Sequence, residues 1–470
     1  MCLRELSMNI DFNLKIFSFQ RRISIGKEWT RSGFIAIVLL MSTVVAYWGS
    51  SRVLILLLAG MFGLVGVFIL LKQPNLSFLL ILLGGVFVPF VGPGGVNAAA
   101  LSVALAISIW LSNMLVVQRR FQFNKSRVLL PVIVFLTLSV IAFGMGQLPW
   151  FAFANQAPLN AQAGGFAIFV LSLLGLVAAA HLLVNNKWLE IIVWIFIGLG
   201  AAYIFGRLVG IPIGRLYNWA FLAGSMFWTW LVTLAFAQAF FNTKLKISAR
   251  VLLYAVVLST MFVSYVWGND WKSGWVPPLV AIAVMVALKY KRLVILAVPF
   301  ALMAVVYLAF RLISNDAYSW GTRVDAWRIV FEISKVSPLF GLGFANYYWY
   351  TPLFPIRGYA VSFNSHSQFV DLIAQVGILG LLSFLWLFFE VGRLGWNLSH
   401  SNLADGFAKA YARGVFAGVF ATLMGAFLGD WVLPFVYNIG FSGFRASILP
   451  WIFFGGLLAI EQMAREKARL

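Results

Sequence analysis

Of three histidines in 470 residues, His181, His366 and His400, only His366 stands where chemistry is expected. It follows Asn364 and Ser365, both good helix N-caps, and opens the apolar run SQFVDLIAQVGILGLLSFLW. A ring at a helix start feels the positive end of the macrodipole. That favours neutral imidazole, the form a general base needs near neutral pH. At about 100° per residue, Val370, Ile373, Gly377 and Gly380 fall on the face of His366, and the glycines open that face to a packed helix or a ligand. The plainer role is an interfacial histidine held by a cap hydrogen bond. Arginines are the second group of candidates. Arg207 and Arg215 bracket RLVGIPIGR, Arg311 ends an apolar run, and Arg323 and Arg328 lie in the polar stretch beyond it. Guanidinium planes bind phosphate bidentately, although an arginine at the end of a span also snorkels to the interface. Asp371 is i+5 from His366, off the register that would orient the ring, and Asp430 closes the penultimate apolar run. His181 and His400 fall at the opposite ends of their runs, where no catalytic role is expected.

These residues must be positioned by membrane helices. The chain is 62% hydrophobic and 10% charged, against about 25% charged for an ordinary soluble domain. A soluble enzyme is excluded. The single cysteine, Cys2, forms no internal disulfide, and no Cys/His cluster points to zinc. A helix needs about 20 mostly apolar residues to cross the hydrocarbon. Fourteen runs qualify, near 33–49, 53–71, 76–92, 98–117, 128–146, 165–184, 188–206, 218–241, 251–267, 275–290, 293–310, 368–390, 412–429 and 447–461. Two of these could be re-entrant, so the expected fold is all-α, a polytopic integral membrane protein with 12–14 transmembrane helices and one large, partly helical loop.

The formal charge of +20 would point to nucleic acid in a soluble protein. Here the basic residues sit in short gaps between apolar runs, so no nucleic-acid partner is expected. With both termini cytoplasmic, 24 of the 34 Lys and Arg fall inside and 10 outside, as the positive-inside bias requires. The expected organisation is a basic cytoplasmic tail over 1–32, a helical bundle over 33–310, a large periplasmic loop over 311–366 and C-terminal spans with a short tail over 367–470. The tail reads as a basic amphipathic segment and not as a cleaved signal.

Within the loop, Asp325 to Val336 has an amphipathic pattern that Pro338, Gly341 and Gly343 terminate. FANYYWYTPLF follows, a run of rings that would sit at headgroup depth or form a lid over a bound lipid or sugar.

Two strings carry a resemblance. His366-Ser367 is followed after nine residues by Gly377 and, two residues on, by Gly380. Arg323, Trp327, Pro338, Gly341 and Gly343 form an Arg…Trp…Pro-x-x-Gly-x-Gly pattern upstream. Together, over about 320–385, they resemble the O-antigen ligase and polymerase superfamily, membrane glycosyltransferases of the GT-C type. The resemblance implies a bacterial inner-membrane enzyme with its active site facing the periplasm. The implied donor is a glycan on undecaprenyl diphosphate, and the acceptor a sugar hydroxyl on lipid A–core or another glycan. It further implies His366 as base, with Arg215 first, Arg311 second and Arg207 third as holders of the diphosphate. Lys272, in WGNDWKSGW where family members often carry a basic pair, would be a further contact, with charge but no bidentate fork. Arg323, Arg328, Gly377 and Gly380 would support the motif and loop.

The implied reaction is a metal-independent, inverting transfer in which His366 takes the acceptor proton as its oxygen attacks the anomeric carbon. No phosphate-cradling glycine loop and no acidic pair at metal spacing is visible, so no cofactor is expected. A ligase is the first reading and a polymerase with the same chemistry the second. A lipid-linked glycan transporter is the third, disfavoured by the absence of a repeat and by the scarcity of charge within the spans.

Overall fold

The structure is a computed structural model that describes residues 35–36, 38–40, 42–43, 51–119, 125–268, 271–290, 317–401 and 406–467. The chain divides into two units, Met1–Lys72 and Gln73–Leu470. In the first, helix α1 spans Ser51–Lys72, and its terminal Lys72 lies 4.8 Å from the Phe68 ring centroid. A cation in the last turn complements the helix dipole.

The second unit is helical throughout. Its helices are α2 (Leu76–Phe87), α3 (Ala98–Ser112), α4 (Leu129–Met145), α5 (Leu159–Leu182), α6 (Asn186–Leu208), α7 (Ser225–Phe241), α8 (Ile247–Val266) and α9 (Lys272–Lys289). Then come α10 (Ala317–Ser334), α11 (Asn346–Tyr350), α12 (Gln368–His400), α13 (Phe407–Leu428) and α14 (Gly440–Lys467). Among the described residues there is no strand, and eight helices are long and apolar enough to cross a membrane: α3 together with the π-helical turn that carries it on to Val116, then α5, α6, α8, α9, α12, α13 and α14. Gly63–Lys72, α2, α4 and α7 are apolar but shorter. The protein is thus an all-α polytopic membrane protein. Twelve of the fourteen apolar runs fall on these helices. The run 293–310 lies outside the described residues and 33–49 lies mostly outside them. The run 76–92 is cut short at Phe87: Val88, the residue before Pro89, is extended (ψ 114°), and a short turn over Pro93–Gly95 follows. The run 447–461 extends to 28 residues.

The helices alternate in direction, and polar contacts fix which ends lie together. Arg445, near the start of α14, donates to the carbonyls of Val88 and Phe90 just past α2, both at 2.8 Å. Asn97, the cap of α3, donates to the Phe441 carbonyl. Ser225 at the start of α7 reaches Ser273 O at the start of α9 (2.5 Å), and Asn346 reaches Gly146 O past α4 (2.9 Å). Leu433 N, between α13 and α14, donates to Gln368 Oε1 at the start of α12 (2.8 Å). These contacts define one end, called here the loop end because α10 and α11 sit on it.

The core is centred on α14, whose apolar window is entirely buried. Trp230 of α7 and Phe388 of α12 close on its Phe454 with centroids 5.6 and 5.3 Å apart. Gly455 of α14 packs directly on Leu176 O and the small Ala179 side chain of α5, so the two helix backbones approach closely. Leu252, Leu258 and Phe262 of α8 are exposed, an apolar surface that suits hydrocarbon and not water.

Candidate functional site

The support of the site begins with a broken helix. At Gly377 the backbone of α12 has φ 74° and ψ −178°, a region essentially confined to glycine. The break would orphan carbonyls before it and N–H groups after it. The segment after Pro338 replaces the lost partners. Leu342 N donates to Ala374 O (2.8 Å) and Gly343 N to Gln375 O (3.1 Å). In return, Pro338 O accepts Ile378 N (2.9 Å) and Leu339 O accepts Leu379 N (3.3 Å). A Cβ on Gly377 would overlap the Leu339 carbonyl, and one on Gly343 would overlap Gly146. The face bearing Gly377 therefore opens to the protein's own loop backbone, not to a ligand beside His366. The two strings that carry the resemblance pack against each other.

The loop has its own core. Helix α10 starts earlier than its amphipathic pattern indicates, at Ala317, and stops at Ser334. Tyr347 and Tyr350 are fully buried, Tyr347 stacking on Phe435 (4.9 Å) and Tyr350 against Phe151 (4.8 Å). Trp349 is exposed and donates to Tyr437 Oη (2.8 Å). Most of these rings hold the loop together, which neither headgroup anchoring nor a lid required.

This core fixes the backbone of His366, whose φ is +50°, left-handed and unusual for a residue with a side chain. Its neighbour Ser365 is buried and tied on four sides. Its hydroxyl donates to Asp371 Oδ1 (2.7 Å) and accepts from Ser367 N (3.1 Å). Its N–H donates to Tyr347 Oη (3.3 Å), and its carbonyl accepts from Trp327 Nε1 (2.8 Å). Tyr347 in turn donates to the same Asp371 oxygen (2.5 Å). Burial, and then the adjacent Asp371 carboxylate, hold the Tyr347 phenol well above its ordinary pKa, so it stays a donor. Ser365 is accordingly not the helix cap. Ser367 occupies that position and makes no side-chain cap bond.

The His366 side chain lines a cavity of about 330 Å³ together with Tyr318, Thr322, Arg323, Ile356 and Phe363. Burial, and secondly the Arg323 guanidinium, lower its pKa, so the neutral form is favoured near pH 7. The direction matches the expectation from the helix start, but the causes are the surrounding protein and one cation. Arg323 also lies 5.5 Å from the Trp320 ring, with Nη1 3.5 Å from Leu428 O. At the rim, Arg357 pairs with Asp325 (2.9 Å) and covers the Tyr318 ring at 4.7 Å. Asp430 is buried behind the site, accepting from Phe435 N (2.8 Å) and Asn438 Nδ2 (2.6 Å), and burial pushes its carboxyl up to about 6.

The remaining candidates divide. Arg207, at the end of α6, is exposed, donates to Tyr203 Oη (2.9 Å) and stands 5.3 Å from the Trp267 ring. Arg215 is exposed in the turn Ile213–Leu216, and Lys272 is half-buried at the start of α9. All three share the loop end with His366, but none lines its cavity. Arg328 is exposed on α10, also away from the cavity, and Arg311 lies outside the described residues. Of the described arginines, Arg323 takes the place beside the imidazole. His181, bonded to Val177 O, and His400, bonded to Trp396 O, lie at the other end of the bundle. Sequence reasoning missed Asp371 as the support of the histidine, although a lone acid in an apolar span is itself a signal. Among the described residues no group of three His, Cys, Asp or Glu could hold a metal ion. No protein-family model matches the chain, and no curated protein matches it.

Proposed function

We propose that the protein is a membrane glycosyltransferase of the O-antigen ligase type. It transfers a glycan from undecaprenyl diphosphate to a sugar hydroxyl of lipid A–core, at the periplasmic face of a bacterial inner membrane. The observation that carries this reading is the placement of His366 and Arg323 on one cavity at the loop end. A neutral imidazole beside a guanidinium supplies the two things such a transfer needs, a proton acceptor and a cation for the leaving group.

In this reading the acceptor oxygen attacks the anomeric carbon and gives its proton to an imidazole nitrogen of His366. The bond from that carbon to the diphosphate oxygen breaks, with inversion. The electron pair leaves on the polyprenyl diphosphate, held by Arg323. Arg207, Arg215, Lys272 and Arg311 supply positive charge over the same face and draw the anionic donor in. A diphosphate is a good leaving group, so neither a covalent intermediate nor a nucleotide is required.

Purified protein in proteoliposomes, given lipid-linked glycan and lipid A–core, tests the reading. New glycan on lipid A–core is expected. Elongation on the polyprenyl carrier alone would make the protein a polymerase, and movement of donor across the bilayer with no new glycosidic bond would remove it from the transferases.

A further inference from the structure

Helix α7 ends at Phe241, away from the loop end, and its last turn gathers three cations. Arg250 of α8 donates Nε to Ala239 O at 2.8 Å. Lys289, the last residue of α9, donates to Phe240 O at 3.3 Å and lies 4.0 Å from the Phe240 ring centroid. Arg413 of α13 covers the Phe241 ring at 4.7 Å. Three neighbouring helices thus send one cation each to three consecutive residues. These charges repel, and both Arg250 and Arg413 act on Lys289.

The helix end accounts for part of the gathering. Its last carbonyls need donors, and it carries the equivalent of about −0.5 charge. Three full positive charges exceed that severalfold. Neither Lys289 nor Arg250 has an ion pair among the described residues. Arg250 also keeps donors in reserve. With Nε on Ala239 O, its Nη1 and Nη2 make no hydrogen bond among the described residues, and neither is sealed from solvent. Lys289 is exposed, as is Lys246, one turn before Arg250. An accessible guanidinium edge next to an ammonium is a donor set suited to phosphate.

We propose that this end of α7, α8 and α9 binds the phosphate of an anionic membrane phospholipid, held by the Arg250 fork and the Lys289 ammonium. The lipid source follows from placement. The half-buried rings of Phe240, Phe236 and Tyr254 continue from the cations along α7 and α8, with Phe236–Phe240 at 4.9 Å and Phe236–Tyr254 at 6.0 Å. They form an apolar floor for an acyl chain whose phosphate rests on the cations. No carboxylate among the described residues pairs with Arg250 or Lys289, so nothing there receives a choline or an ammonium group. A net-anionic headgroup is therefore favoured over a zwitterionic one. The positive-inside bias assigns this end to the cytoplasmic leaflet, and the proposal is independent of the transferase reading.

The test uses the full chain, delipidated in detergent. Short-chain phosphatidylglycerol and phosphatidylcholine, and water-soluble glycerol phosphate, are titrated while native mass and thermal stability are followed. Phosphatidylglycerol is expected to bind about tenfold or more tightly than phosphatidylcholine and to raise the melting temperature. Arg250→Gln should lose about tenfold or more of that affinity. Because Arg250 also ties α8 to α7, Lys289→Gln, at an exposed position, carries the same test with less risk to folding. It should lose several-fold, whereas Lys187→Gln, an equal charge change at the exposed start of α6 on the same end, should lose nothing. Equal affinity for the two lipids, or equal losses in Lys289→Gln and Lys187→Gln, would overturn the site. Glycerol phosphate binding as tightly as the lipid would overturn the lipid assignment.

Discussion

Ser365 and Asp371 are joined by a 2.7 Å hydrogen bond that ties the residue before His366 to the first turn of the helix after it. They are six positions apart along the chain, with a left-handed turn at His366 between them. The imidazole is thereby placed by its neighbour's bonds, and makes no hydrogen bond of its own among the described residues.

Breaking those bonds should loosen the ring while leaving the helices intact. Tyr347→Phe and Ser365→Ala each remove a buried hydroxyl and should lower stability by about 1–3 kcal/mol. Melting of the purified protein in detergent measures this. If the bonds position His366, transfer by the folded fraction falls as well, with the main loss in kcat. Unchanged kcat in both variants would confine the network to stability.

The left-handed conformation makes a separate prediction. A residue with a Cβ costs about 1–2 kcal/mol there relative to glycine. His366→Gly should therefore melt above His366→Ala, although neither can act as a base. Equal melting temperatures would mean that the turn is not left-handed in the membrane protein.

At the helix break, Gly377→Ala adds a Cβ that meets the Leu339 carbonyl and forces a backbone angle reserved for glycine. The variant should fail to accumulate as folded protein, measured by expression and size-exclusion chromatography. Gly392→Ala, on the same helix, meets only Val419 at an ordinary 3.7 Å and should be tolerated. Tolerance of both would contradict the paired break.

The pH dependence follows from the lowered pKa of His366. The base form exists above that pKa, so transfer should be full at neutral pH and fall as pH drops through a value under about 6.5. Arg323 contributes to the lowering. Arg323→Gln should move the acid limb upward, towards the ordinary value, besides weakening donor binding. An acid limb that stays in place would remove Arg323 from the vicinity of the ring.

The spans were legible because apolar runs of the required length need no tertiary information. His366 stood out as a lone polar ring at the mouth of such a run. What could not be read were the long-range ties. Gly341, Gly343 and Gly377 show their spacing in the sequence, but that they form two sides of one contact depends on a break in α12 that hydropathy does not reveal. Asp371 is off register for the ring itself; its partner is Ser365, which no helical spacing in the sequence points to. Arg323 reads in the sequence as part of the loop motif and not as a diphosphate holder, because nothing in the sequence shows that α10 folds back over the start of α12.

The most direct test is the product formed by purified His366→Ala protein in proteoliposomes with defined lipid-linked donor and lipid A–core. The account predicts intact membrane insertion and a loss of transfer of at least about 10²–10⁴-fold, the usual contribution of a general base. Glycan transfer at the wild-type rate would contradict it.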